Sequence, residues 1–244
     1  HVIGFLAVLS LSCCDKSDGE ERFFIDNLTV DNYPRIDGST SAEPLQVLIA
    51  CKLLDVEYSW VYMSFWYKYP YRMMPSIEVK PEIGRFITEG IHHSGTHGSY
   101  MNLINKNVDV IITARTASDD ELHLADSLGV SLVEAPVALD AFVFLANINN
   151  PVNSLTTKEI QDIYTGNITR WNEVGGTDTE ISPYQRDRNS GSQELMEKLV
   201  MKDLEMLDLP DMIAFGMMGM INQIEYDRQG LGYSVNYYTR YMVR

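Results

Sequence analysis

Apolar runs with strand character alternate with helix-forming stretches from Tyr33 onwards, and this alternation limits the possible folds more than any other feature. Ile36 leads into a tight turn of glycine and hydroxyl residues, and a stretch with helical spacing follows from Leu45, which predicts a strand, a turn and a helix in that order. Residues 108–112 form another apolar run, which we predict to be a buried strand followed by a helix. The alternation predicts an α/β fold with mainly parallel sheets flanked by helices.

Local signals mark where several of these elements begin. Thr40 with Glu43, and Ser118 with Glu121, have the spacing of a capping box, which predicts a helix start at each place. Pro44 fits the first turn of a helix, where its missing N–H is not needed. Further strands are predicted at residues 130–137, 141–146 and 181–184, and a final strand or crossover is predicted at residues 232–238.

Chain length and net charge limit the classes of protein to which this chain can belong. The 244 residues are enough for one large domain or for two modest lobes, each with its own core. With 34 acidic and 19 basic residues the formal net charge is -15, which argues against a nucleic-acid partner, because phosphate backbones require basic patches. A small anionic ligand is not excluded, since a desolvated site responds mainly to the groups next to it.

The first residues look like a targeting segment. A short apolar stretch leads into Cys13 and Cys14 and then into a polar, charged stretch. This pattern predicts a partial signal peptide with a lipoprotein cleavage box over residues 1–14 and a polar tether over residues 15–32. Either Cys13 or Cys14 would carry the lipid; the alternative is a buried first strand. The remaining cysteine, Cys51, is expected to be a buried, inert thiol without a disulfide.

Three polar loops, each just before a predicted helix or strand, combine glycine with hydroxyl residues. Glycine allows close approach of the backbone, hydroxyls donate hydrogen bonds, and free N–H groups at a helix start favour an anion. Together they can hold a tetrahedral oxyanion, although the same residues also form ordinary turns and caps. The loops are Gly38-Ser39-Thr40-Ser41, Gly95-Thr96-His97-Gly98-Ser99 and Asn189-Ser190-Gly191-Ser192.

Two arginines lie close to these segments in the sequence. Arg186 precedes the third loop, and Arg115 follows the strand predicted at residues 108–112. A guanidinium group matches the oxygens of an oxyanion with a planar pair of donors. The alternative for either residue is an ion pair with one of the many carboxylates. Arg188 is expected at the surface.

Four motifs resemble the phosphate-binding subunit of the bacterial phosphate ABC importer, a type II member of the periplasmic substrate-binding protein superfamily. The resemblance runs from about Ile36 to about Tyr238, and only the aromatic stretch at residues 58–71 looks foreign to it. The most diagnostic motif, at residues 163–176, is structural in that family. The motifs are residues 37–41, 109–115, 163–176 and 186–192.

The resemblance implies a two-lobed fold, with residues 33–139 in lobe 1 and residues 140–233 in lobe 2. Residues 234–244 would begin a return crossing to lobe 1, in a sequence that we expect to be cut at both ends. The implied function is capture of phosphate in an interlobe cleft and delivery to the membrane permease of an ABC importer. No enzyme activity and no cofactor are implied. A monomer anchored by lipid in the cell envelope, on its periplasmic or extracellular face, is expected.

Residues carry over from the family one by one. The first loop supplies Ser39, Thr40 and Ser41, and the second supplies Thr96. Arg186 stands four residues before the turn formed by Ser190, Gly191 and Ser192. Some members have an aspartate after the strand at residues 108–112, which accepts the proton of hydrogen phosphate and so rejects sulfate; this chain has Ala114 and Arg115 there, and Arg115 is a further ligand candidate. Asp140 is the alternative proton acceptor.

Three other functions are compatible with the sequence. The ligand could be another tetrahedral oxyanion, or the protein could sense phosphate without transporting it. A serine hydrolase is a further alternative, but His97 is the only histidine in a candidate loop and the sequence indicates no group that orients it. His92, His93 and His97 do not form a zinc site by sequence, because no cysteine or acidic ligand completes the set.

Overall fold

The computed structural model describes residues 25–64 and 70–243. The predicted signal peptide, Cys13, Cys14 and part of the aromatic stretch lie outside these residues. The described chain divides into two compact units between Leu139 and Asp140, here called the amino-terminal and the carboxyl-terminal unit. None of the described helices has the length and apolar character needed to cross a membrane.

The amino-terminal unit is built around a short parallel pair of strands. β1 (Ile36–Gly38) pairs with β4 (Val110–Ile112) so that Ile36 lies opposite Val110, and Ile91 forms an isolated bridge with Ile36. Apolar side chains of the helices, such as Val47 and Ile87, are buried in one cluster with Ile36. The elements are β1 (Ile36–Gly38), α1 (Glu43–Leu53), β2 (Tyr58–Tyr62), β3 (Tyr71–Pro75), α2 (Pro81–Gly90), α3 (Thr96–Ile104), β4 (Val110–Ile112) and α4 (Asp119–Ser127).

Strands β2 and β3 form an antiparallel hairpin; β2 lies in the stretch at residues 58–71 that looks foreign to the family, and β3 begins at its end. Met73 of β3 is buried in the same apolar cluster as Val47 and Cys51 of α1, and Trp60 of β2 packs against that cluster. One side of the hairpin therefore packs on the core of the unit, while Tyr58, Val61 and Tyr62 of β2 are exposed.

The carboxyl-terminal unit has a mixed sheet in which β9 (Gly230–Val235) is the central strand. β5 (Phe142–Ala146) lies antiparallel to β9, and β6 (Ser182–Pro183) lies parallel to it. Tyr164, Trp171 and Tyr233 are fully buried in its core, so the motif at residues 163–176 is structural here. The elements are β5 (Phe142–Ala146), α5 (Thr157–Tyr164), β6 (Ser182–Pro183), β7 (Gln185–Arg186), α6 (Gly191–Leu195), β8 (Ile213–Ala214), α7 (Gly216–Tyr226) and β9 (Gly230–Val235).

Three local predictions are wrong. Residues 130–137 form no strand, and Val133 in that run is 93% exposed. The strand predicted at residues 108–112 is shorter, and Val110 is exposed in it. The Thr40–Glu43 capping box is absent, because a 3-10 turn at Thr40–Ala42 precedes α1, so that Thr40 does not stand at the helix start. The capping box at Ser118 is confirmed.

Candidate functional site

The first glycine–hydroxyl loop leaves β1 at its carboxyl end. The backbone N–H of Ser39 donates to the carbonyl of Ile112 at 3.0 Å, which fixes the loop against β4. Gly38 is required there, because a Cβ atom would lie 2.2 Å from the same carbonyl oxygen. The Ser39 side chain caps no helix N–H group, and its Oγ lies 3.4 Å from that of Ser41. The loop thus keeps hydroxyl donors at the start of α1.

Asp37 joins the first loop to the second, a role that sequence reasoning missed. Its buried carboxylate accepts the backbone N–H groups of Gly38 and Ser94 and the side-chain amide of Asn102, each at 2.7 Å. Burial alone would raise the pKa of Asp37, but these hydrogen bonds outweigh burial and hold the pKa below its ordinary value. The charged carboxylate of Asp37 therefore connects and stabilises two loops that each carry predicted ligand contacts.

The second loop begins α3 with glycine in a conformation that other residues rarely adopt. Gly95 has φ +82° and stands at the N-cap of α3. Thr96 is buried in the first position of the helix, and its carbonyl accepts the hydroxyl of Ser99 at 2.8 Å. Of the two hydroxyl residues here, Ser99 is turned back onto its own helix.

Arg115 binds a carboxylate of its own unit. Its Nη1 and Nη2 lie 2.8 and 2.9 Å from the two carboxylate oxygens of Glu121, and the two side chains are only 4% and 0% exposed. Burial would raise the pKa of Glu121, but the hydrogen bonds from Arg115, Ser118 and His97 keep it lowered. The structure thus places Arg115 in an ion pair that is buried, whereas the alternative from the sequence is an ion pair at the surface.

Glu121 also orients His97, contrary to the expectation from the sequence. Nδ1 of His97 lies 2.9 Å from a carboxylate oxygen of Glu121. Among the described residues, however, no serine or threonine hydroxyl is hydrogen-bonded to His97. The arrangement therefore lacks the nucleophile that a serine hydrolase requires next to its base.

Arg186 is the buried cation of the carboxyl-terminal unit. Its side chain is 5% exposed, Nε donates to the carbonyl of Ala214 at 2.9 Å, and Nη2 lies 3.8 Å from Asp187. Within the described chain, no hydrogen bond engages its two terminal nitrogens. Burial lowers the pKa of Arg186, with Asp187, Tyr233 and Tyr238 acting against that change, and a guanidinium group remains charged.

The turn after Arg186 is held by its backbone and by Gln193. The backbone N–H of Arg186 donates to Oε1 of Gln193 at 3.1 Å and also contacts the hydroxyl of Tyr233 at 3.1 Å. Ser190 accepts the N–H of Gln193 at 3.1 Å and so caps α6, as an ordinary turn serine would. Gly191 and Ser192 are buried in the first turn of that helix. The structure thus brings Arg186 and this turn together.

An open groove of about 660 Å³ lies beside Arg186 in the same unit. Arg188 lines it too but is exposed, as predicted. Asp140, at the start of the unit, accepts the backbone N–H groups of Ala141 at 2.8 Å and Tyr237 at 3.0 Å. No group of three metal-binding side chains occurs in the described part of the chain.

A profile of the PBP superfamily domain matches residues 87–240, more than half of the chain. Protein SphX of Synechococcus elongatus is 27% identical over 121 residues, which is 47% of this chain and 35% of that protein. The phosphate-binding protein PstS of Staphylococcus saprophyticus is 26% identical over 151 residues, or 59% of this chain and 46% of that protein. The chain thus spans less than half of the length of these curated relatives.

Two solved structures share the fold. A putative phosphate ABC transporter substrate-binding protein from Clostridium perfringens, with bound phosphate, has a TM-score of 0.57 at 22% identity, covering 82% of this chain and 69% of the other. An ABC-type phosphate transport receptor from Vibrio cholerae has a TM-score of 0.50 at 20% identity, covering 82% and 70%. The predicted type II periplasmic-binding-protein-like α/β fold and the family resemblance are confirmed, and the chain belongs to the PBP superfamily.

Proposed function

We propose that this protein binds phosphate and delivers it, chemically unchanged, to the membrane permease of an ABC importer. The observation that carries the proposal is the buried guanidinium of Arg186 next to the turn at residues 190–192. A buried cation whose terminal nitrogens are not hydrogen-bonded by the described chain favours an anionic ligand, because such a group is costly to leave without a partner.

The chemistry of the turn supports the same ligand. The backbone N–H groups of Gly191 and Ser192 belong to the first turn of α6, where N–H groups have no partner within the helix. Arg186 adds a full charge and a planar pair of donors. Together they fit the charge and shape of hydrogen phosphate, and they also fit other tetrahedral oxyanions.

In the amino-terminal unit we assign phosphate contacts to Ser39, Thr40, Ser41 and Thr96. The first loop leads into a 3-10 turn and the second leads into a helix, and the carboxylate of Asp37 connects the two loops through hydrogen bonds. We remove Arg115 from the set, because Glu121 binds both of its terminal nitrogens. The interlobe cleft, and Asp140 as a proton acceptor, stay predictions from the sequence.

The cellular setting is part of the proposal. The names of the relatives, which are phosphate-binding and transport proteins, support an extracytoplasmic solute-binding role. Lipid attachment at Cys13 or Cys14, the importer permease as partner and a monomeric state are part of what we propose. A sensor without a transport role would use the same site.

Titration calorimetry tests the ligand directly. Phosphate should bind with release or uptake of heat and should raise the melting temperature at micromolar concentration. The same titration with sulfate measures selectivity, and a chromogenic phosphate ester tests for hydrolysis. Absence of phosphate binding by the folded protein, or turnover of the ester at the proposed site, would overturn the proposal.

A further inference from the structure

A buried carboxylate stands at the start of the first candidate loop's helix. Glu43 is the first residue of α1 and directly follows the turn at Thr40–Ala42. Its side chain is 3% exposed, and its Oε2 atom is buried without a hydrogen-bond partner in the described chain. A negative charge here lies next to the loop in which we place an anion, so it opposes binding unless a cation compensates it.

The compensating cation comes from the β2–β3 hairpin. Arg72 of β3 donates from Nη2 to Oε1 of Glu43, and the Arg72 side chain is 22% exposed. His93, which precedes the second loop, has Nδ1 3.8 Å from the same oxygen. Arg72 thus links the aromatic hairpin to the base of the first loop, across 29 positions of the sequence.

We infer that Arg72 is a positioning residue for phosphate binding, which neutralises Glu43 and so makes the first loop able to accept an anion. The inference rests on the proposed function. It also gives the hairpin a role, since β3, which begins where the stretch foreign to the family resemblance ends, supplies the counter-charge for an acid in the loop's own helix. Arg72 acts through Glu43, because its Nη2 is engaged by that carboxylate.

A double-mutant cycle distinguishes this electrostatic role of Arg72 from a purely structural role. Phosphate affinity is measured by titration calorimetry at low salt for the natural protein, Arg72→Ala, Glu43→Gln and the double variant. We expect Arg72→Ala to weaken binding on the order of tenfold, because an uncompensated buried charge remains beside the anion. Glu43→Gln should tighten binding several-fold, and the double variant should return to within about threefold of the natural protein.

The Arg35–Asp109 ion pair is the matched control. It lies in the same unit but at the opposite end of β1, with Nη2 and Oδ1 2.7 Å apart. Arg35→Ala should change phosphate affinity by less than about twofold, because this pair is exposed and screened.

The phosphate affinities of the single and double variants distinguish between the possible roles of Arg72. Should Arg72→Ala fail to fold, Glu43→Gln and the double variant still decide the question. A double variant as weak as Arg72→Ala would mean that Arg72 contacts phosphate itself, and unchanged affinity in Glu43→Gln would remove the electrostatic role; either result overturns the inference. If the natural protein binds no phosphate, the proposed function fails first and this inference fails with it.

Discussion

Replacement of Arg186 by alanine is the sharpest test of the candidate site. The guanidinium is 5% exposed, and only Nε is hydrogen-bonded within the described chain, to Ala214. Two charge-assisted hydrogen bonds to one oxyanion contribute about 1.5–3 kcal/mol each, and part of this is offset because water or neighbouring N–H groups replace them in the variant. We therefore expect a net loss of about 2–4 kcal/mol, or about 30- to 1000-fold in Kd.

The same replacement should affect the ligand-free protein little. Removal of Arg186 leaves the Ala214 carbonyl without its donor, which costs about 1 kcal/mol, but it also removes a desolvated charge. Urea unfolding without phosphate should thus change by about 1 kcal/mol or less, while calorimetry shows the full loss of affinity.

Arg188→Ala is the matched control, because this exposed arginine is two positions away and lines the same groove. Its phosphate affinity should remain within about threefold of the natural value, since exposed charges are screened. Equal losses for the two variants, or a larger loss for Arg188→Ala, would refute the assignment of Arg186 to the site.

Three further outcomes follow from buried groups. Asp37→Asn should weaken phosphate binding in calorimetry and lower stability in urea unfolding by about 1–3 kcal/mol. Because the folded-state pKa of Asp37 is lowered, its contribution to stability is present above the ordinary carboxyl pKa and is lost as pH falls through the lowered value. Arg115→Ala should cost about 3–5 kcal/mol of stability in urea, because Glu121 stays buried without its cation, yet the folded variant should bind phosphate far better than Arg186→Ala does. Burial raises the pKa of the Cys51 thiol to about 11, so peptide mapping after thiol labelling at pH 8 should find Cys51 modified only once the protein unfolds.

Features that depend on neighbouring residues were predictable from the sequence. The capping box at Ser118 involves only residues within four positions of each other. Arg188 is exposed and Arg186 is buried, which agrees with the spacing of the motif. The apolar run at residues 130–137 misled the strand prediction, because apolar character alone does not ensure a paired neighbour.

Features that join distant residues were not predictable. Asp37 meets Ser94 and Asn102, which are 57 and 65 positions away, and nothing in its own motif indicates those partners. Arg115 looked like a ligand residue since only the folded chain brings the Glu121 carboxylate against its guanidinium. Long-range polar contacts of this kind depend on tertiary packing and leave no periodic trace in the sequence.

The burial of Arg186 has a consequence for how a ligand would be received. The guanidinium has already lost most of its contact with water when the chain folds, so a ligand meets donors that need little further dehydration or rearrangement. Such preorganisation shifts an unfavourable free energy from the binding step to the folding step. The empty protein is consequently less stable than its apolar core alone would make it, and the occupied form gains heat resistance that no contact within the chain provides.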